Sequence, residues 1–169
     1  MKHLTIFSLI IVLILTGCTP KNNAQVLSPD DRSDLYESAI ESARDAATNE
    51  VLPLVTEADD DMAPMMFELL GVSAQDMSAY AISVSMMNVK AYAIAAIYPA
   101  AGKEDAVLEG LRTFINNQKQ AFEQYLADQH EIAVNAKLET LEDGTVLLVM
   151  SENQDKIFDA IRDVIERGK

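Results

Sequence analysis

Few residues of this 169-residue chain have side chains suited to reactive chemistry, and each can be weighed by its spacing. Cys18 is the one cysteine, so the chain forms no internal disulfide. Its thiolate is the side chain nucleophilic enough to form a thioether. Apart from His3 near the start, His130 is the only histidine, so a Ser-His-Asp or Cys-His site has to be built on it. Its neighbours Asp128, Gln129 and Glu131 read as an exposed loop or helix end. Glu57, Asp59, Asp60 and Asp61 offer oxygens of the kind calcium takes. They lack the loop spacing, central glycine and closing glutamate of a calcium site, and read as a solvated acidic loop. Met62, Met65, Met66, Met77, Met86 and Met87 are soft ligands of the kind copper(I) takes. No histidine or cysteine joins them, and Met65, Met66 and Met86 fall on apolar stripes, so packing is the reading. An exposed Met62 or Met87 would suit an adaptable peptide groove. Carboxylate pairs among the 27 acids discriminate nothing in a chain without tryptophan. Lys103, Arg112, Lys119 and Lys156 read as solvated helix faces, and Gln118 as a satisfied packing contact. No serine elbow, zinc-helix or phosphate-loop motif occurs. No catalytic residue, cofactor or metal ligand is therefore assigned, and the chain does not read as an enzyme.

The setting of Cys18 says where the chain works. Residues 4–15 are uncharged and apolar, follow Lys2, and end in the small residues Thr16 and Gly17, the layout of a secretory leader. The run is too short to span a bilayer, which needs about 20 residues. Leu15-Thr16-Gly17-Cys18 resembles a bacterial lipobox. That resemblance implies a diacylglycerol on the Cys18 sulfur, cleavage before Cys18, and a domain tethered to the outer face of the cell membrane. Two acyl chains make such an anchor stable where one holds only marginally. The formal charge is −14, and loss of Lys2 with the leader makes it one unit more negative. That field repels nucleic acid.

The organisation follows as residues 1–17 leader, 18–28 lipidated cysteine and flexible spacer, 29–71 helical segment, and 72–169 α+β domain. Ser28-Pro29-Asp30-Asp31 starts a helix with a cap, a proline at its first position and acids at its positive end. Its alanine-rich stripe of Leu35, Tyr36, Ala39, Ile40, Ala43 and Ala47 packs weakly on the domain. Residues 62–70 form a short helix stopped by Gly71.

Tyr80, Ile82, Val84 and Met86 alternate with Ala81, Ser83 and Ser85, which predicts a strand with one buried face. Tyr92, Ile94, Ala96 and Tyr98 continue the alternation as its hairpin partner. After Gly102, Val107, Leu111, Phe114, Ile115, Gln118, Phe122 and Tyr125 mark a long amphipathic helix. Residues 137–141 and 145–150 pair around Asp143-Gly144. Ser151 with Gln154 suggests a capping box for a last helix carrying Ile157, Phe158, Ile161, Val164 and Ile165. The order is ββαββα, an α+β fold with a largely antiparallel four-stranded sheet covered by helices on one face and an extra N-terminal helix.

Leu69-Leu70-Gly71-Val72, Ala79-Tyr80-Ala81, Met86-Met87-Asn88-Val89-Lys90-Ala91, Gly102-Lys103-Glu104-Asp105 and Gln118-Lys119-Gln120-Ala121-Phe122-Glu123-Gln124-Tyr125 carry a resemblance. The chain is similar to the small Gram-positive lipoproteins grouped as domain of unknown function 4358, from about Leu69 to the last helix. It departs at Tyr92-Ala93, where the family places an acidic residue. The resemblance implies location and fold, and supplies no catalytic residue. The leading expectation is a non-catalytic envelope module that binds an exported protein or a wall component, with membrane lipid engaged through Cys18 and no nucleic acid. The alternative is a small-ligand or metal-binding lipoprotein that assists a transporter. An open apolar sheet face would favour the first, and a pocket lined by methionine with Tyr80 or Tyr92 the second.

Overall fold

The computed structural model describes residues 27–168, so Cys18 and its spacer lie outside the described residues. Helix α1 (Pro29–Ala43) starts where the sequence says it must: the Ser28 hydroxyl accepts from the Asp31 N–H at 3.1 Å, with Pro29 in the first turn. Arg44 ends it in an extended conformation, and Asp45 then caps the short α2 (Ala46–Val51) through the Thr48 N–H at 2.7 Å. Helix α3 (Ala63–Leu70) stops at Gly71, which takes a left-handed φ of 69°.

Strands β1 (Met77–Val84) and β2 (Ala93–Pro99) form the expected antiparallel hairpin, with Val84 opposite Ala93. Helix α4 (Glu104–Phe122) and helix α5 (Ala127–Val134) follow. Strands β3 (Lys137–Thr140) and β4 (Val146–Met150) pair around Gly144, whose φ of 90° suits the tight turn. Helix α6 (Gln154–Arg167) closes the described fold. The sheet order is β1-β2-β4-β3, antiparallel throughout, because β4 pairs with β2 and not with β1. The outer edge of β1 is covered by Val55, which exchanges two backbone hydrogen bonds with Ile82.

The fold class is as expected, but helices cover both sheet faces instead of one. Tyr80, Ile82, Val84, Ala95, Ile97, Val146, Leu148 and Met150 pack against α3, α4 and α5. Ala79, Ala81, Ile94, Ala96, Leu147 and Val149 pack against α1 and α6, which bring Tyr36, Ile40, Phe158 and Ile161. The alternation in β1 is one of size, not polarity: small alanines let α1 approach, and its aromatic residue fills the space. Burying a side chain such as Phe158 or Ile161 contributes about 2 kcal/mol.

Local readings also changed. Strand β1 ends at Val84, leaving Met86 and Met87 exposed in the connection to β2. Tyr125 lies beyond the end of α4 and is 86% exposed, while Gln118 is half-buried. The polar stretch around Asp128 is helix α5, hidden in the sequence because only Ala133 of it is fully buried. Ser151 does not cap α6: its hydroxyl donates to the Glu152 carbonyl, and Asn153 takes the N-cap position at a left-handed φ of 57°.

Candidate functional site

One end of the sheet, where β1 finishes and β2 begins, opens into a cavity of about 660 Å³. Four chain segments wall it. The α1–α2 junction brings Arg44, Asp45 and Thr48, the β1–β2 connection Met87, Val89, Lys90 and Tyr92, and α5 brings Gln129 and Ile132. The β4–α6 junction and first turn of α6 add Ser151, Glu152, Asn153, Lys156 and Ile157. Helix α5 fixes the β1–β2 connection, because the Gln129 side-chain carbonyl accepts from the Ala91 N–H at 2.8 Å.

Arg44 organises the floor. It is 8% exposed, and its Nε donates to Asn49 Oδ1 at 2.7 Å. Its Nη1 donates to the Leu52 carbonyl at 3.1 Å, Ser83 Oγ at 2.9 Å and the Tyr92 hydroxyl at 3.2 Å. These acceptors are all neutral, and no ion pair among the described residues includes Arg44. The guanidinium thus sits buried among neutral groups, where desolvation is costly. The adjacent Asp45 carboxylate is engaged in capping α2, and the Thr48 amide and hydroxyl, with a smaller contribution from the Arg44 charge, hold it below the usual carboxylate range. Burial pushes the Tyr92 phenol up, against the opposing hydrogen bond from Arg44. Lys90 Nζ lies 5.6 Å from the centroid of the Tyr92 ring.

Residues 52–151 match the family described as Domain of unknown function (DUF4358). The chain belongs to this family. No curated protein and no solved structure matches it. The DUF4358 match supplies the sheet, α3, α4 and α5, whereas Arg44 and Lys156 come from the flanking helical segments. The cavity is thus completed by residues on both sides of the matched span.

The residues singled out in the sequence of this DUF4358 chain do not assemble into one site. His130 sits on α5, half-buried and outside the cavity lining. Glu57, Asp59, Asp60 and Asp61 form an exposed turn, in which Asp60 accepts from the Met62 N–H at 2.7 Å. Among the described residues no group of three or more His, Cys, Asp or Glu is arranged to hold a metal ion. Met66 and Met77 are buried, Met65 is exposed elsewhere, and among the described methionines Met87 alone lines the cavity. Lys156 is an exposed residue of α6, as its sequence position suggested, and it also lines the cavity. Ser83 and Ser85 do lie opposite the Tyr80 face, but α1 covers that face and Ser83 serves Arg44. Arg44 itself was missed. The available signal was its spacing, four residues after Ile40 and eight after Tyr36, which sets a cation on the buried stripe of α1.

Proposed function

We propose that this chain is a lipoprotein held on the outer face of the cell membrane through Cys18, and that its folded domain binds a small ligand. The observation that carries the ligand-binding reading is the cavity of about 660 Å³ lined by Met87 and Tyr92 over the buried Arg44. Small-molecule sites occupy about 300–1,000 Å³ and combine apolar walls with a few fixed polar groups. The competing interaction-module reading drew on an open apolar sheet face, and both faces here carry helices. Among the described residues the lining holds no histidine or cysteine, so a binding role fits its chemistry better than a catalytic one. Among the described residues no helix is long and apolar enough to cross a membrane, and the tether is assigned to the lipobox. A ligand held at the membrane surface suits a role beside a transporter.

A second reading, a module that captures an exported protein, is favoured by the exposed Met87 and Val89 at the cavity and the exposed Met86 next to them in the chain. Methyl-labelled methionine spectra of the detergent-solubilised chain, titrated with a library of small molecules, separate the two. The expected outcome is a ligand that shifts the Met87 methyl and leaves the buried Met66 in place. Binding of an exported protein at Met86 and Met87, with no small molecule shifting Met87, would overturn the ligand-binding reading.

A further inference from the structure

Building on the ligand-binding reading, we infer that the cavity holds the tetrahedral oxyanion head of an organic ligand, of the phosphate or sulfate type, against Arg44 and Lys156. Charge is the first reason. The chain carries 13 Lys and Arg against 27 Asp and Glu, yet the cavity is lined by Arg44, Lys90 and Lys156 against Asp45 and Glu152, reversing the balance. Of the two acids, Asp45 is engaged on the Thr48 N–H and Glu152 is exposed at the cavity wall. An anion entering the site adds compensation to the buried Arg44 guanidinium. That group acts electrostatically on Asp45 but makes no hydrogen bond or ion pair with a carboxylate among the described residues.

Geometry is the second reason. Arg44 Nε and Nη1 are occupied by neutral acceptors, whereas Nη2 makes no hydrogen bond among the described residues. Every fully enclosed side-chain nitrogen and oxygen there has a partner, so Nη2 is not fully enclosed, and Arg44 is among the residues that line the cavity. Each two-nitrogen edge of the guanidinium therefore has one nitrogen already engaged, and the paired contact that favours planar carboxylates is not on offer. What remains is an end-on donor, joined by lysines that act as point charges, which matches oxygens pointing in several directions. The start of α6 adds to this. Its 14 residues begin at the cavity and no side chain caps its first turn, so its leading N–H groups and dipole favour an anion there, beside Asp155 of the same turn, which pairs with Lys137. The volume far exceeds a bare phosphate, and the aliphatic side of the lining, Val89, Ile132 and Ile157, gives an organic body its contact.

The test titrates the detergent-solubilised full chain with phenyl phosphate, phenol, benzoate and inorganic phosphate by calorimetry, with the Met87 methyl as the reporter of location. Phenyl phosphate is expected to bind at Met87 at least about tenfold tighter than phenol or benzoate, with inorganic phosphate competing weakly. Raising ionic strength should weaken it. Arg44→Gln and Lys156→Ala should each reduce its affinity about tenfold or more, and Lys156 is exposed, so its variant keeps the fold. Phenol binding at Met87 as tightly as phenyl phosphate would overturn the oxyanion assignment and leave ligand binding standing. Benzoate binding more tightly would replace the tetrahedral head with a planar one. Phenyl phosphate binding unchanged by both variants, or absent, overturns the inference. If the small-molecule library also leaves Met87 unmoved, the ligand-binding reading falls with it.

Discussion

Arg32 and Arg44 flank most of α1 and meet burial in opposite ways. Arg32 Nη1 reaches Asp143 at 2.6 Å, with both side chains about one-tenth exposed, and its guanidinium stacks 3.9 Å over the Tyr98 ring. The charge is compensated, and removing Asp143 would strand it at a cost of about 3–5 kcal/mol. Arg44 has only neutral hydrogen-bond acceptors, and the Asp45 carboxylate on which its charge acts is engaged in capping α2. Tyr36 joins the first network, its hydroxyl 2.5 Å from Thr145 Oγ1 and 3.3 Å from Arg32 Nη1. Burial pushes its phenol up to about 12, against the opposing hydrogen bonds from Thr145 and Arg32. An unfolded tyrosine titrates near pH 10, so the unfolded chain loses this proton first as pH rises. The stability Tyr36 contributes is therefore complete below about pH 10 and falls by about 2–3 kcal/mol on reaching pH 12. Urea unfolding of the chain between pH 9 and 12 should show that decline, and Tyr36→Phe should flatten it. None of this network was legible locally, because Tyr36 and Thr145 are 109 residues apart.

At the scale of elements, α3 and α4 cross at two glycines. A Cβ on Gly110 would lie 2.2 Å from the Gly71 carbonyl oxygen, which is backbone and cannot swing aside. Gly110→Ala should therefore push the helices apart and cost about 1–3 kcal/mol, seen as a lower denaturant midpoint with an unchanged slope. An unchanged midpoint would mean that the crossing is loosely held. The apolar stripe of α4 was visible through Val107, Leu111 and Phe114, but the partner that its Gly110 faces was not. Turn and helix-stop signals at Ser28, Gly71 and Asp143-Gly144 gave correct limits, since each acts within a few residues. The Ser151 capping box failed for the opposite reason: Ser151 is 3% exposed, and its packed position, not its spacing to Gln154, settles what its hydroxyl meets.

For the whole molecule, the cavity joins four segments, two of them outside the span matched by the family, at one end of a sheet covered on both faces. The tether is a separate property, to be tested by itself. Cys18→Ala should abolish incorporation of labelled fatty acid, and unchanged labelling would remove the anchor. The sequence by itself determined the α+β class, the two hairpins, the α4 and α6 stripes and the family resemblance, because period, turn and cap chemistry operate over a few neighbouring residues. Only the tertiary structure decided that α1 covers the second sheet face and that Arg44 is buried beside a cavity. Whether an alanine, a serine or an arginine is enclosed depends on which distant helix packs over it, and its own neighbours in the chain carry little of that information.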